Sequence, residues 1–217
     1  MCGRFALDTP PQKLAEHFKL SGEISFHASW NIAPSNKICI ISADQQGTRT
    51  LRTQRWGITP SWSNKMMTNA RGETIAEKPS FRSAFKARRC IIPASGFYEW
   101  RTEGKVKHPF YISLKTGEPM AFAGIWETLG GMESCCIITT SPNTIMEPIH
   151  DRMPVILDAD NWAQWLSPLE QNADHLLPLI RPHDAETMQA WAVSRDVNKV
   201  GVRNDDGLIA PFTQSLF

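Results

Sequence analysis

The feature that most constrains this chain is a set of short apolar segments rich in Ile, Phe, Cys and Ala. Each is too brief for a stable helix. Residues 37–42, 89–92, 110–114, 120–125 and 134–139 are of this kind and are expected as strands. Thr102-Glu103-Gly104-Lys105 supplies a hairpin-type turn between Trp100 and Phe110. Helical periodicity is confined to short stretches. Thr9-Pro10-Pro11-Gln12 has the spacing of a capping box with Pro at the first helical position, leading into a helix that buries Leu14 and Phe18. Residues 160–166, 173–180 and 184–190 also read as helices, the second weakened by Pro178. Strands outweigh helices and do not alternate with them. That argues against a doubly wound sheet and predicts an α+β fold: a single compact domain over residues 1–217, with a mainly antiparallel, barrel-like sheet and short peripheral helices.

A chain of 217 residues buries a sizeable core without disulfides or metals. The longest stretches free of Asp, Glu, Lys and Arg, residues 24–36 and 134–146, are 13 residues long and polar. A spanning helix needs about 20 apolar residues, so no transmembrane segment is expected. The start, Met1-Cys2-Gly3-Arg4-Phe5, lacks the basic-then-apolar order of a signal peptide. Cys2, Cys39, Cys90, Cys135 and Cys136 are odd in number and contain no CxxC, and the last four lie in apolar runs. They are expected as buried free thiols of a cytoplasmic protein, with neither a disulfide framework nor a metal site.

The net charge of +1 hides an asymmetry. Residues 1–150 carry 18 basic and 12 acidic side chains, residues 151–217 only 5 and 10. Residues 65–89 hold Lys65, Arg71, Lys78, Arg82, Lys86, Arg88 and Arg89 against Glu73 and Glu77. Such a stripe is either a solvated face or a track for phosphates. Tryptophan is heavily used, 8 Trp against 2 Tyr. Trp162, Trp165, Trp126 and Trp191 fall in helix-like or apolar runs and are expected in the core. Trp56 and Trp62 flank Gly57-Ile58-Thr59-Pro60 beside the basic stripe, and exposed Trp near Arg is how proteins stack unpaired bases.

Chemistry begins at Cys2. Removal of Met1 before a small residue leaves Cys2 with a free α-amine beside its thiol. Their ordinary pKa values are about 7.7–8.0 and about 8.5. The amine can form a Schiff base with an aldehyde, and the thiol can then close a five-membered thiazolidine, an extreme of proximity. With an ester or amide the same thiol could instead be an acyl-transfer nucleophile. Partners for either chemistry are present. Glu99 lies in an apolar and aromatic run, where a carboxyl tends to hold its proton; an exposed strand end is the alternative. His150 precedes Asp151-Arg152-Met153-Pro154 and an apolar run, as a site residue or a structural one. Asn69 and Arg71, in Thr68-Asn69-Ala70-Arg71, could orient a substrate and take a phosphate. Asn31 could as easily cap a turn. No HExxH, P-loop or GxGxxG occurs, so zinc protease and nucleotide-binding readings lack support.

In combination these residues resemble the SOS response-associated peptidase (SRAP) family of abasic-site processing proteins. The resemblance runs in order through Met1-Cys2-Gly3-Arg4, Trp30-Asn31-Ile32-Ala33-Pro34, Trp56-Gly57 with Pro60 and Trp62, and Asn69-Ala70-Arg71. It continues through Gly96-Phe97-Tyr98-Glu99-Trp100, Ile149-His150-Asp151-Arg152-Met153-Pro154, and Val193-Ser194 with Val197-Asn198. It implies a compact β-rich domain, working as a monomer without cofactor, metal or membrane. That domain would bind single-stranded DNA and join Cys2 to the ring-opened aldehyde of an abasic site as a thiazolidine crosslink. Thiol autopeptidase, hydrolase and lyase-type activities belong to the same implication. By position, Glu99 would assist ring opening and proton transfer, His150 would act as acid and base at the Schiff-base step, and Asn69 would hold the amino terminus or sugar. Arg4, Arg71 and Arg152 would contact phosphates, and Trp62 and Trp100 would line the groove. Two departures stand out. Gly72 replaces a bulkier residue, which is expected to loosen its loop, and the Pro60-Ser61-Trp62-Ser63 loop lacks a second Trp. Competing readings are an amino-terminal-nucleophile hydrolase of the glutamine amidotransferase kind and a non-covalent DNA-binding module.

Overall fold

The structure, a computed structural model, describes residues 2–60, 62–201 and 203–212. Its strands are β1 (Phe5–Leu7), β2 (Ser29–Ile32), β3 (Lys37–Ala43), β4 (Arg49–Trp56), β5 (Asn69–Arg71), β6 (Arg89–Ala94), β7 (Gly96–Glu103), β8 (Val106–Leu114), β9 (Met120–Leu129), β10 (Met132–Thr140), β11 (Met153–Pro154) and β12 (Met188–Ala192). Short helices α1 (Pro11–Phe18), α2 (Arg82–Ala87), α3 (Trp162–Leu166) and α4 (Ala173–Leu176) flank them.

Strands β10, β4, β3, β6 and β9 are hydrogen-bonded in that order, and β9 pairs back with β10, closing a five-stranded barrel without free edges. Every pairing in the ring is antiparallel except β10 with β4. The far half of β10 carries β5 in parallel and β11 antiparallel. A second sheet, β12-β8-β7-β1-β2, is antiparallel throughout. It packs on the barrel through edge-to-face rings: Phe5 meets Trp56 and Phe122, and Phe97 meets Phe122. Strand alternation sorts β7 into two faces. Phe97 joins the core between the layers, while Tyr98 packs outward with Ala6, Tyr111 and Val197, with Trp100 against that cluster.

The five expected strands are present, each a little longer than its apolar run. The β7–β8 hairpin turns at Gly104-Lys105, between the pair Glu103 and Val106, with Gly104 at φ +60°. The five cysteines are buried and free. Four expectations need correction. The segment 184–190 is not a helix: residues 185–187 form one 3-10 turn capped by Asp184, and β12 then pairs with the exposed edge of β8. Ladder bonds to an open edge outweigh weak helical periodicity. The segment 173–180 splits after Leu176 into a 3-10 turn, since Pro178 has no N–H to continue the α ladder. Residues 160–166 likewise begin as 3-10 before α3. The capping box at Thr9 does not form: Pro10 is the cap, without a side-chain bond, and the Thr9 hydroxyl lies 3.1 Å from Ser95 Oγ at the β6–β7 corner. No helix among the described residues is long and apolar enough to cross a membrane.

Two cations of the basic stripe face inward. Arg89 is buried and donates to five carbonyls, those of Phe85, Lys86, Trp165, Ser167 and Glu170. It ties α2 and α3 to the loop that follows. Burial lowers its pKa to about 10, with the Glu170 charge opposing. Arg88 pairs with Glu127 at 2.7 Å. Arg71, Lys65, Lys78, Arg82 and Lys86 are exposed.

Candidate active site

The ladder of β1 on β7 sets Phe5 opposite Phe97, and Tyr98 N–H donates to the Arg4 carbonyl at 2.9 Å. Residues 2–4 therefore run antiparallel to the part of β7 that carries Glu99. Cys2 is fully buried, and Glu99 is 2% exposed. Asn69 arrives from β5, held on the barrel by the parallel pairing of β10. Its Nδ2 donates to the Cys2 carbonyl at 2.9 Å and to Thr68 Oγ1 at 3.1 Å. Asn69 Oδ1 is buried and has no hydrogen-bond partner among the described residues. His150 comes from the turns between β10 and β11, its N–H bonded to the Met146 carbonyl at 2.8 Å. Its Nε2 lies 3.9 Å from Glu99 Oε2. Four sequence-predicted residues, Cys2, Asn69, Glu99 and His150, thus converge from four separate segments.

The electrostatics suit proton movement. Burial raises the Glu99 carboxyl above its ordinary range, and the His150 charge opposes the rise. Burial, and after it the Glu99 carboxylate, push the Cys2 thiol well above its ordinary value. The thiol is therefore held neutral. His150 Nδ1 accepts the Arg152 amide N–H at 3.0 Å. In the neutral ring this puts the proton on Nε2, the nitrogen that faces Glu99. The exposed Asp151 carboxylate, 2.9 Å from Nδ1, is poised to receive a second proton's hydrogen bond when the ring is charged. Among the described residues no three of His, Cys, Asp and Glu gather as a metal site.

The expected groove residues divide into two kinds. Trp62 is 70% exposed, on an arm closed by reciprocal backbone bonds between Ile58 and Met67 at 3.0 and 2.8 Å. Gly57 starts that arm at φ +125°, where Met66 packs too close for any side chain. Trp56, on the other side of the loop, is fully buried and donates to the Thr68 carbonyl. Arg71 is exposed at the end of β5. The others are engaged with the protein. Arg4 Nη1 holds Asn31 Oδ1 at 2.6 Å and the Val197 carbonyl at 2.5 Å. Trp100 Nε1 donates to Asn198 Oδ1 at 2.8 Å. Arg152 is paired with Glu73 and the Thr139 carbonyl.

Sequence reasoning missed these partners. Asn31 is an Arg4 acceptor rather than only a turn residue, and Asn198 and Glu73 anchor site side chains. Glu73 had a local signal, two residues beyond Arg71 in a basic stretch. Asn31 and Asn198 had none, because their partners are remote in sequence. Gly72 does not loosen its loop: a Cβ there would lie 2.2 Å from Ile180 Cγ2 and 3.3 Å from the Thr139 carbonyl. In this chain Ile180 fills the space that a bulkier residue would take.

A closed mixed barrel carrying a second sheet, with an N-terminal Cys beside Asn, Glu and His, defines a recognisable class. The chain belongs to the SOS response associated peptidase (SRAP) family, whose pattern matches residues 1–200. It is similar to the abasic site processing protein YoqW of Bacillus subtilis (strain 168), 45% identical over 212 residues that cover 91% of this chain and 94% of that one. It is also similar to the abasic site processing protein YedK of Escherichia coli (strain K12), 31% identical with 76% and 79% covered. A crystal structure of a Bacteroides thetaiotaomicron protein shares the fold at TM-score 0.84 and 28% identity, covering 98% of this chain and all of that one.

Proposed function

We propose that this chain, acting as one domain over residues 1–217 and as a monomer, processes abasic sites in single-stranded DNA by joining its mature N-terminus to the lesion. The observation that carries the reading is the convergence of Cys2, Asn69, Glu99 and His150 beside exposed Trp62 and Arg71. Relatives named for abasic site processing supply the substrate class.

The closed abasic sugar opens when the C1 hydroxyl gives up its proton and the ring oxygen takes one, releasing the C1 aldehyde. Glu99, its carboxyl raised by burial, is suited to that proton exchange. With Met1 removed, the Cys2 amine adds to C1, and the carbinolamine loses water to give an imine. The thiol S–H then adds across the C=N bond: sulfur bonds to C1 and the proton ends on nitrogen. One water leaves, and nothing is oxidised or reduced. The neutral thiol favours this amine-first order over the thiolate attack that an amidotransferase-like hydrolase needs. Asn69 steadies the Cys2 carbonyl, and His150 Nε2 exchanges protons with Glu99. Trp62 stacks an unpaired base and Arg71 takes a phosphate, while Arg4, Trp100 and Arg152 form the groove wall.

Intact-mass spectrometry tests this directly. Protein shown to have lost Met1 is mixed, without reductant, with a single-stranded oligonucleotide carrying one abasic site. The expected product is protein plus oligonucleotide less one water, with the bond at Cys2. It is absent with an intact oligonucleotide and with protein that retains Met1. No adduct from protein with a free Cys2 amine overturns the reading.

A further inference from the structure

Arg152 holds an anion of the protein's own. Its Nη1 and Nη2 donate to Glu73 Oε1 and Oε2 at 2.5 and 2.9 Å, a parallel two-bond fork. Nη2 also donates to the Thr139 carbonyl at 2.7 Å. The Arg152 side chain is 12% exposed and that of Glu73 50%. Thr139 thus fixes the guanidinium from within, and Glu73 covers it from the solvent side. The Arg152 hydrogen bonds, and to a lesser degree the Arg71 charge, hold the Glu73 carboxyl below its ordinary range. The carboxylate stands in the field of two guanidiniums. A guanidinium grips the two free oxygens of a phosphodiester with the same fork that it uses for a carboxylate.

We infer that Glu73 is a phosphate surrogate: a phosphodiester of the bound strand displaces it from Arg152, and its carboxylate competes with DNA for that cation. The inference rests on the DNA-binding reading above. Thr139 keeps Arg152 in place during the exchange, so the site is preorganised whichever anion fills it. The competition weakens the hold on every single strand, and undamaged DNA, which forms no covalent bond, is released sooner. The exchange also reaches the chemistry, because the Arg152 amide N–H holds His150 Nδ1.

The test is fluorescence anisotropy with an intact single-stranded oligonucleotide over a salt series, using folded variants matched by thermal melting. Glu73→Gln removes the charge and keeps an oxygen for Arg152; Glu73→Ala is the second variant. Glu77→Gln, an exposed acid of the same basic segment, controls for general charge. Glu73→Gln is expected to tighten binding about three- to tenfold. It should also steepen the slope of log affinity against log salt by about 0.7, the share of one further phosphate contact on a single strand. In an Arg152→Gln background the gain should fall to that of Glu77→Gln. Unchanged or weaker binding by both Glu73 variants, or a gain no larger than that of Glu77→Gln, makes Glu73 a structural brace and overturns the inference. If no variant, wild type included, binds intact or abasic single strands, the DNA reading fails and the inference with it.

Discussion

Gly72 offers a stringent test of how the site wall is built. Its φ lies outside the left-handed region, so Ala is tolerated by the backbone itself. The obstacle is steric. The new Cβ would sit 2.2 Å from Ile180 Cγ2, well inside the 3.4–4 Å of ordinary contact, and the Thr139 carbonyl at 3.3 Å prevents retreat. Ile180 must therefore move by more than an ångström. Overpacking of this kind costs about 1–3 kcal/mol. Replacing Gly returns about 0.4–1 kcal/mol by restricting the unfolded chain. The net loss should be about 1–2 kcal/mol, or about 2–8 °C in Tm for a chain of this size. Ile180→Ala removes the opposing methyl. In that background Gly72→Ala should be neutral or mildly stabilising, a coupling of about 1–2 kcal/mol between the two positions. Thermal and urea melts of the four proteins measure it. Equal losses from Gly72→Ala in both backgrounds would refute the steric account.

Two further expectations concern buried charge. Glu99 has a folded pKa above its unfolded value of about 4.5, so its stabilising share is complete below that pH and is lost as pH rises through the folded value. Glu99→Gln should therefore gain in melting temperature relative to wild type as pH rises from 4 to 7 while crosslinking slows; a difference constant with pH would contradict the raised value. Arg89→Lys leaves at most three donors for five carbonyls and should cost about 2–3 kcal/mol, seen as a lower Tm, while crosslinking per folded molecule is retained. A Tm within a degree of wild type would mean that water replaces those bonds freely.

Much of the fold was legible because strands advertise themselves locally. The runs at 37–42, 89–92 and 134–139 are apolar on both faces, as barrel strands covered on both sides must be. β1, β5 and β11, of two or three residues, carry no such signal; their order comes from the neighbours they pair with. β12 looked helical because an edge strand has one half-exposed face and its partner supplies half the ladder. The closure of β9 on β10 and the parallel β4–β10 pairing are likewise absent from any local pattern.

The site divides in the same way. The sequence alone determined which groups are available: an aminothiol at Cys2 once Met1 is removed, a carboxyl among aromatics at Glu99, an imidazole at His150, an amide at Asn69 and a basic stripe. Residue type decides reactivity before any fold exists. Only the tertiary structure decided which of these groups meet, how their protons are held and which cations remain free. Arg89 became a brace, Arg152 took Glu73 as its partner, and Glu99 and the Cys2 thiol were held protonated by burial. Desolvation and hydrogen-bond pairing depend on neighbours tens of residues away, which β1 on β7 and β5 on β10 bring into contact.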